Sequence, residues 1–384
     1  MKAVLRTIID RFLLLPIGAA IALLWANTAA ESYFVFAHRL AFFVNEIGMT
    51  FFFALMAQEV AEAVMPGGAL HSWRRWSLAI VAAIGGSVGA VAVYLGFVYL
   101  NYEYSLSAAW PVAVAVDVAA AYYVLKTIVP RSGAVPFAVL LAIVTDLIAI
   151  FIAAPRHLVL ETHTGGVALL VAALGLAAVM RVLKVRSFWP YLFVCGAISW
   201  LAFYREGLHP AFALIPIVPF LPHEPRRIAN HHSVNLLDDP PDDDRVHHAE
   251  HEWHVIVQAV LFLFGLVNAG VILKDYDTGS WAMLSAELVG RPAGILLAAG
   301  LALSAGLHLP GHMGWRELLV VAFAMSIGFA IALFLATGVL ATGPVLSQAK
   351  LGVLGSIAGA LAAFAAAWFL KVGRLSRPSL DPRP

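Results

Sequence analysis

Charged residues are scarce in this chain of 384 residues, at 12% of the sequence, and cysteine occurs once, as Cys195. Ordinary soluble domains are about one quarter charged, so this composition excludes that class. A single cysteine excludes an intrachain disulfide, and a net charge of +1 argues against a nucleic-acid partner. Hydrophobic residues make up 61% of the chain. The sequence therefore predicts an all-α membrane protein that crosses the lipid bilayer several times, and we expect no cofactor.

Twelve apolar stretches are candidates for transmembrane helices. A helix needs about 20 predominantly apolar residues to cross the hydrocarbon layer of a bilayer. The seventh and eighth stretches are short, and they are separate only because Arg205, Glu206 and Gly207 interrupt them. The predicted segments are 12–30, 40–64, 76–100, 108–128, 135–154, 165–183, 188–204, 208–222, 253–273, 281–305, 316–340 and 350–371.

The basic residues are unevenly distributed over the connections between these segments. Of the 24 Lys and Arg residues, 18 fall at the N-terminus, in every second loop after it and in the C-terminal tail, and Arg291 lies inside a span. Cytoplasmic loops of membrane proteins are enriched in Lys and Arg, so both termini are predicted to be cytoplasmic. The loops on the other side hold Arg39, Arg156, Arg205, Lys274 and Lys350.

One connection is long and polar. Residues 223–252 are rich in His and Asp and are predicted to form a cytoplasmic loop. The loop separates an N-terminal part, 1–222, with spans 1–8 from a C-terminal part, 253–372, with spans 9–12, and residues 373–384 form a cytoplasmic tail. Three interpretations of the loop stay open: a solvated linker, a pH sensor, because histidine titrates near neutral pH, and an adventitious metal site.

Asp117, Asp146 and Arg291 stand out among the ionisable side chains inside the predicted spans. An ionisable group at membrane depth costs roughly 3 kcal/mol even on lenient scales, so it persists where it has a partner or lines an ion path. A buried carboxylate can bind either a proton or a small cation, which is the simplest chemistry of an exchanger. A structural ion pair with one further charge facing a cavity is the alternative.

Two spans contain signals for a broken helix. Pro111 precedes Asp117 in the fourth segment, and Gly328 lies near the centre of the eleventh. Transporters place ion sites at such breaks, because the unwound backbone supplies carbonyl groups and the half-helix ends supply partial charges. The two breaks correspond in position if segments three to five and ten to twelve are repeats.

Ten short blocks in order resemble the NhaA-type sodium/proton antiporters, over about residues 10 to 372. The resemblance implies inverted repeats with two broken helices that cross. It also implies a multi-pass protein of the bacterial inner membrane, and a homodimer is among the assemblies it allows. The blocks include Leu141-Ala-Ile-Val-Thr-Asp-Leu147, Glu206-Gly-Leu-His-Pro-Ala211, Asn268-Ala-Gly-Val271, Gly290-Arg-Pro-Ala-Gly294, Ile327-Gly-Phe-Ala-Ile331 and Ala349-Lys-Leu-Gly352.

The family's functional residues map onto named positions of this chain. Its central pair of aspartates falls on Thr145 and Asp146, its membrane lysine on Arg291, and its aspartate between the half-helices on Asp117. The resemblance implies pH sensing by carboxylates and histidines at the cytoplasmic ends of spans, where ordinary solvated polar groups are the alternative. These residues are Glu59, Glu62, Glu250, His251 and His254.

The resemblance implies a secondary transporter, not an enzyme, that serves pH and sodium homeostasis. By alternating access, Asp146 would bind H⁺ and Na⁺ or Li⁺ in turn, with Thr145 as a further ligand. Because Thr145 replaces a carboxylate and arginine keeps its proton where lysine can lose it, we expect fewer protons per cycle than in electrogenic relatives, in the limit one per cation. Two alternatives stay open: an organic-anion carrier that uses Arg291, and a sensor that does not transport.

Overall fold

The computed structural model describes residues 14–64, 73–130, 132–153, 164–185, 187–221, 247–310 and 313–373. These residues are predominantly helical, as the composition predicts. In chain order the helices are α1 (Leu14–Thr28), α2 (Ala30–Phe42), α3 (Met49–Val64), α4 (Trp73–Leu100), α5 (Val118–Ile128), α6 (Ala134–Ala153), α7 (Thr164–Val182), α8 (Gly196–Arg205), α9 (His247–Asn268), α10 (Thr278–Ser285), α11 (Arg291–Ser304), α12 (Trp315–Ala324), α13 (Phe329–Val339), α14 (Pro344–Gly355) and α15 (Ala358–Phe369).

Short helices of other types complete the chain path. One π-helical turn, Phe43–Gly48, joins α2 to α3, and another, Ala286–Gly290, joins α10 to α11. A third, Tyr191–Cys195, leads into α8. The 3₁₀ helices are Tyr104–Val114, Pro210–Phe212, Val218–Phe220 and Leu273–Asp275.

The predicted class, an all-α membrane protein with two broken helices, is confirmed. Within the described residues, six helical stretches are long and apolar enough to cross a membrane. Two further spans are bent pairs, and three shorter apolar helices accompany them. The six stretches are Ala30–Gln58, Ser77–Leu100, Ala134–Ile152, Gly165–Val182, Thr278–Ser304 and Pro344–Phe369, and the shorter helices are Leu14–Thr28, Tyr191–Arg205 and Ile256–Asn268.

The structure differs from the sequence prediction at segments two and eight. The segment predicted at 208–222 forms successive 3₁₀ turns instead of an α-helix. Pro210, Pro216 and Pro219 explain this, because each lacks the N–H that an α-helix requires and crowds the preceding turn. The second span begins at Ala30, about ten residues earlier than predicted, and Arg39 lies on the exposed surface of α2 instead of in a loop.

Helices α4 and α11 are in direct backbone contact. Gly85 and Gly89 of α4 face Gly290 and Gly294, four residues apart on each helix. A Cβ at Gly290 would lie 2.6 Å from the carbonyl oxygen of Gly89, so no larger residue fits this approach. Small residues allow close packing where lipid provides no hydrophobic drive between helices. The contact fixes the start of α11, and therefore Arg291, against α4.

Candidate ion-translocation site

Two broken helices cross inside the protein. The first consists of the 3₁₀ helix Tyr104–Val114 and α5, bent by 58°, and the second consists of α12 and α13, bent by 44°. The unwound segments touch, since the backbone N–H of Asp117 donates to the carbonyl oxygen of Ile327 at 2.7 Å. Helix ends of both polarities therefore meet at one place, which we call the crossing.

The break of the second helix leaves little space for a side chain at residue 328. A Cβ on Gly328 would lie 3.0 Å from Oε1 of Glu287 and 3.1 Å from the carbonyl oxygen of Ala115, which is too tight for most side chains. The N–H of Gly328 donates to Oγ of Ser356 at 3.1 Å, so this interrupted backbone has a partner. The two unwound segments can approach each other because residue 328 has no side chain.

Asp117 lies between the amino ends of α5 and α13. Its side chain is 8% exposed. Oδ1 accepts the N–H of Ala120 at 3.0 Å and Oδ2 accepts the N–H of Ala330 at 3.2 Å. The amino end of a helix carries about half a positive charge, so one carboxylate here compensates two such ends. Asp117 therefore contacts the amino ends of one half of each broken helix, and its role in ion transport stays a prediction.

Arg291 closes the carboxyl end of the 3₁₀ half-helix. Its guanidinium is 1% exposed and donates to three consecutive carbonyl groups: from Nη1 to Val114 at 3.0 Å, and from Nη2 to Ala113 and Ala115 at 2.7 Å each. Carbonyl groups at a helix end have no partner within the helix. The planar fork of arginine can reach all three, which the single ammonium of lysine cannot do in the same way.

Glu287 is the functional candidate that sequence reasoning missed. It is fully buried, and its Oε2 accepts a hydrogen bond from Nε of Arg291 at 2.8 Å and lies 2.7 Å from Nη2. The spacing of four residues places both side chains on the same face of a helix. The sequence contained this signal, because a Glu four residues before an intramembrane Arg predicts an ion pair.

Thr145 and Asp146 lie in α6, each 1% exposed. Helix α6 packs against all four halves of the broken helices. The hydroxyl of Thr145 donates to the carbonyl oxygen of Leu141 at 2.9 Å, and its oxygen can still coordinate a cation. Carboxylate and hydroxyl oxygens are hard ligands of the kind that hard cations prefer. The helix that carries these two candidate ligands therefore packs against both broken helices.

A second pair of buried titratable groups joins the second span to the proline-rich segment. Glu46, in the π turn Phe43–Gly48, has its Oε2 3.5 Å from Nδ1 of His209, and both side chains are buried. The sequence indicates His209 only as part of the block Glu206-Gly-Leu-His-Pro-Ala211 and does not indicate Glu46. Trp200 donates from Nε1 to the carbonyl oxygen of Glu46 at 3.0 Å, so the π turn is held from two sides.

The predicted pH-sensing residues fall at helix ends. Glu59 and Glu62 lie in the last turns of α3, and Glu250, His251 and His254 lie in the first turns of α9. All five side chains lie outside the described part of the structure. Most of the predicted loop, up to residue 246, also lies outside it. Their assignment stays a prediction.

Comparison with known proteins gives a consistent result. Residues 3–370 match the family described as Na⁺/H⁺ antiporter 1. A protein named Na⁺/H⁺ antiporter NhaA from Desulfitobacterium hafniense is 38% identical over 366 residues, which cover 91% of this chain and 92% of that protein. Proteins of the same name from Geobacter metallireducens and Geotalea uraniireducens are 35% and 37% identical, with 93% and 94% of this chain covered and 95% of each relative.

Proposed function

This chain belongs to the Na⁺/H⁺ antiporter 1 family, and we propose that it exchanges Na⁺ or Li⁺ for H⁺ across a membrane by alternating access. The observation that supports the proposal best is the position of Asp146. Its carboxylate is buried in α6, the helix that contacts every half of the two broken helices. A change of charge in this helix would act on both broken helices, because it packs against all four of their halves.

Each of the four candidate residues, in α6 and at the crossing, has a role in this proposal. Asp146 binds the proton in one orientation and the cation in the other, and Thr145 and unwound carbonyl groups complete the cation's ligands. Asp117 stabilises the two amino ends that point into the crossing. Arg291 holds the carbonyl end of the first half-helix in place and so keeps the unwound segment 115–117 in position.

The geometry does not favour an organic-anion carrier. Such a carrier would use the guanidinium of Arg291 to bind a substrate carboxylate. In the structure Glu287 already binds this guanidinium, and three carbonyl groups take its remaining hydrogen bonds. A substrate anion would have to displace a carboxylate that is covalently tethered four residues away. Transport of a small cation needs no such displacement.

The finer assignments belong to the same proposal. The protein is a multi-pass membrane protein and a transporter, and we place it in the bacterial inner membrane with both termini in the cytoplasm, because of the distribution of Lys and Arg. Glu59, Glu62, Glu250, His251 and His254 would adjust access from the cytoplasm with pH. A homodimer is among the assemblies that this proposal allows.

The experiment is exchange in everted membrane vesicles or proteoliposomes, read as proton movement on addition of Na⁺, Li⁺ or K⁺ at pH 6 to 9. Asp146→Asn should abolish exchange, because the amide neither takes up a proton nor carries the charge that binds a cation. Asp275→Asn is the matched control, since this exposed carboxylate lies in a connection between spans. Exchange that persists in Asp146→Asn would refute the assignment.

A further inference from the structure

Glu287 has one carboxylate oxygen in use and one without a partner. Oε2 is bound by Arg291, as described above, whereas Oε1 is buried and has no hydrogen-bond partner within the described residues. A carboxylate whose task was only to neutralise Arg291 could turn both oxygens toward the guanidinium, in the bidentate geometry that this pair commonly adopts. The second oxygen of Glu287 is directed elsewhere.

That second oxygen faces the crossing. Oε1 of Glu287 and the carbonyl oxygen of Ala115 both lie about 3 Å from the point where a Cβ of residue 328 would be. Ala115 belongs to the unwound part of the first broken helix, and Gly328 belongs to the break of the second. A protonated carboxyl group is a donor as well as an acceptor. In that form Glu287 presents a donor beside the unwound backbone at Ala115 and Gly328.

The surroundings of Glu287 contain few other charges. The π turn Ala286–Gly290 packs against α4, α10, α11 and α15. In α4 from Ser77 onward, and in the described residues of the other three helices, the titratable side chains are Arg291, Tyr94 and Tyr99. From the broken helices, Asp117 faces the same crossing. The charge of Arg291 is therefore balanced mainly by Glu287.

We propose that Glu287 is a second proton-exchanging carboxylate of this transporter, placed on the helix of Arg291 and replacing the acid that is missing at Thr145. The proposal rests on the proposed function, exchange at Asp146. When Glu287 is ionised it neutralises Arg291, and a cation at the crossing meets no excess of positive charge. When Glu287 takes up a proton from the water on the accessible side, Arg291 is left uncompensated and opposes the cation. Proton uptake and cation release are then coupled, each affecting the other equally.

A second acid at Glu287 changes the expected number of protons exchanged per cation. One proton per cation follows from the sequence only if Asp146 is the single acid of the site. With Glu287 as a second acid, two protons enter as one Na⁺ leaves, and the cycle moves net charge. At zero membrane potential a tenfold Na⁺ gradient is then balanced by a pH difference of about 0.5 units, against about 1 unit for one proton.

The test measures this balance point in proteoliposomes whose membrane potential is set by K⁺ and valinomycin. The wild-type protein should balance near the two-proton value, and the balance should shift with the potential. Glu287→Gln should balance near the one-proton value, independent of potential, and adding Thr145→Asp to it should restore the wild-type behaviour. Ser280→Ala is the matched control and should behave as wild type. Ser280 is a fully buried polar residue that lies two helical turns before Glu287 on the same side of the span.

The outcomes separate this proposal from the proposed function. A wild-type balance at the one-proton value, or a Glu287→Gln balance at the two-proton value, would overturn the role of Glu287 even if Asp146→Asn abolishes exchange. Exchange that survives Asp146→Asn instead removes the proposed function. If Glu287→Gln does not fold because Arg291 is left unpaired, Glu287→Gln with Arg291→Gln removes both charges, and the same two balance values decide. Because Thr145→Asp adds an acid whether or not Glu287 exchanges protons, the balance values of the wild type and of Glu287→Gln decide the role of Glu287.

Discussion

Asp117→Asn tests whether one carboxylate holds the amino ends of both inner half-helices. Asparagine keeps one acceptor oxygen, so one of the bonds to Ala120 and Ala330 is lost and an amide N–H faces a backbone N–H. A hydrogen bond to a charged group contributes about 1.5–3 kcal/mol. Attraction of a charge to a helix end adds about 0.3–1 kcal/mol for each of the two ends. The variant should therefore lose about 2–5 kcal/mol of stability.

The assay is thermal unfolding of the purified protein in detergent without Na⁺ or Li⁺, so that ion binding does not contribute. At roughly 2 °C per kcal/mol for a large chain, the midpoint should fall by about 4–10 °C. Asp117→Ala, which keeps no acceptor, should fall further, whereas Asp275→Asn, on an exposed carboxylate, should not change the midpoint. If Asp117→Asn melts with the wild-type protein, the carboxylate does not stabilise the two helix ends, and the electrostatic account of the crossing is wrong.

Two further variants test the packing around the site by the same melting assay. Gly89→Ala places a Cβ 2.8 Å from Cα of Gly294, and overpacking of this kind lowers the stability of a protein by about 1–3 kcal/mol. Gly96→Ala is the control and should leave the stability unchanged, because no atom lies within 4 Å of its new Cβ. Equal melting midpoints for the two variants would contradict the backbone contact of α4 and α11. Tyr33→Phe removes a hydroxyl that donates to the carbonyl oxygen of Val267 and accepts the N–H of Gly270 at 3.0 Å. The variant should lose about 1–3 kcal/mol of stability, whereas Tyr102→Phe, at an exposed tyrosine, should not change it. An unchanged midpoint for Tyr33→Phe would show that the backbone groups of Val267 and Gly270 find other partners.

The broken helices could be predicted from the sequence because their causes are local. Proline lacks an N–H, and a glycine beside polar residues in a span marks an interruption, so Pro111 and Gly328 identified both breaks. The prediction of an α-helix for segment eight, 208–222, was wrong because it ignored the same local signal, proline. The apolar composition of this segment predicts a transmembrane helix, but three prolines within ten residues prevent an α-helix there. Hydrophobicity decides whether a segment enters the membrane, whereas backbone hydrogen bonding decides its conformation.

The site could be predicted only in part, because the partner of a charge depends on tertiary contacts. Asp117, Asp146 and Arg291 were identified from their cost at membrane depth. The family's functional residues were mapped onto named positions of this chain, and Glu287 is not among those positions. The three carbonyl groups that Arg291 binds lie about 177 residues away in the chain, and no local pattern reveals them.

The net charge around Arg291 depends on whether Glu287 is ionised, and a transport cycle can use this difference. The carboxyl end of a helix carries about half a negative charge. It balances only about half of the charge of Arg291, and ionised Glu287 exceeds the remaining half. A buried ion pair is weak evidence for stability, because its desolvation cost can exceed its attraction. Closing a carbonyl end needs only neutral donors, so the buried pair is better explained by a carboxylate that changes charge. When Glu287 is protonated, roughly half a positive charge remains beside the unwound backbone, and in a medium of low polarity this disfavours a bound cation.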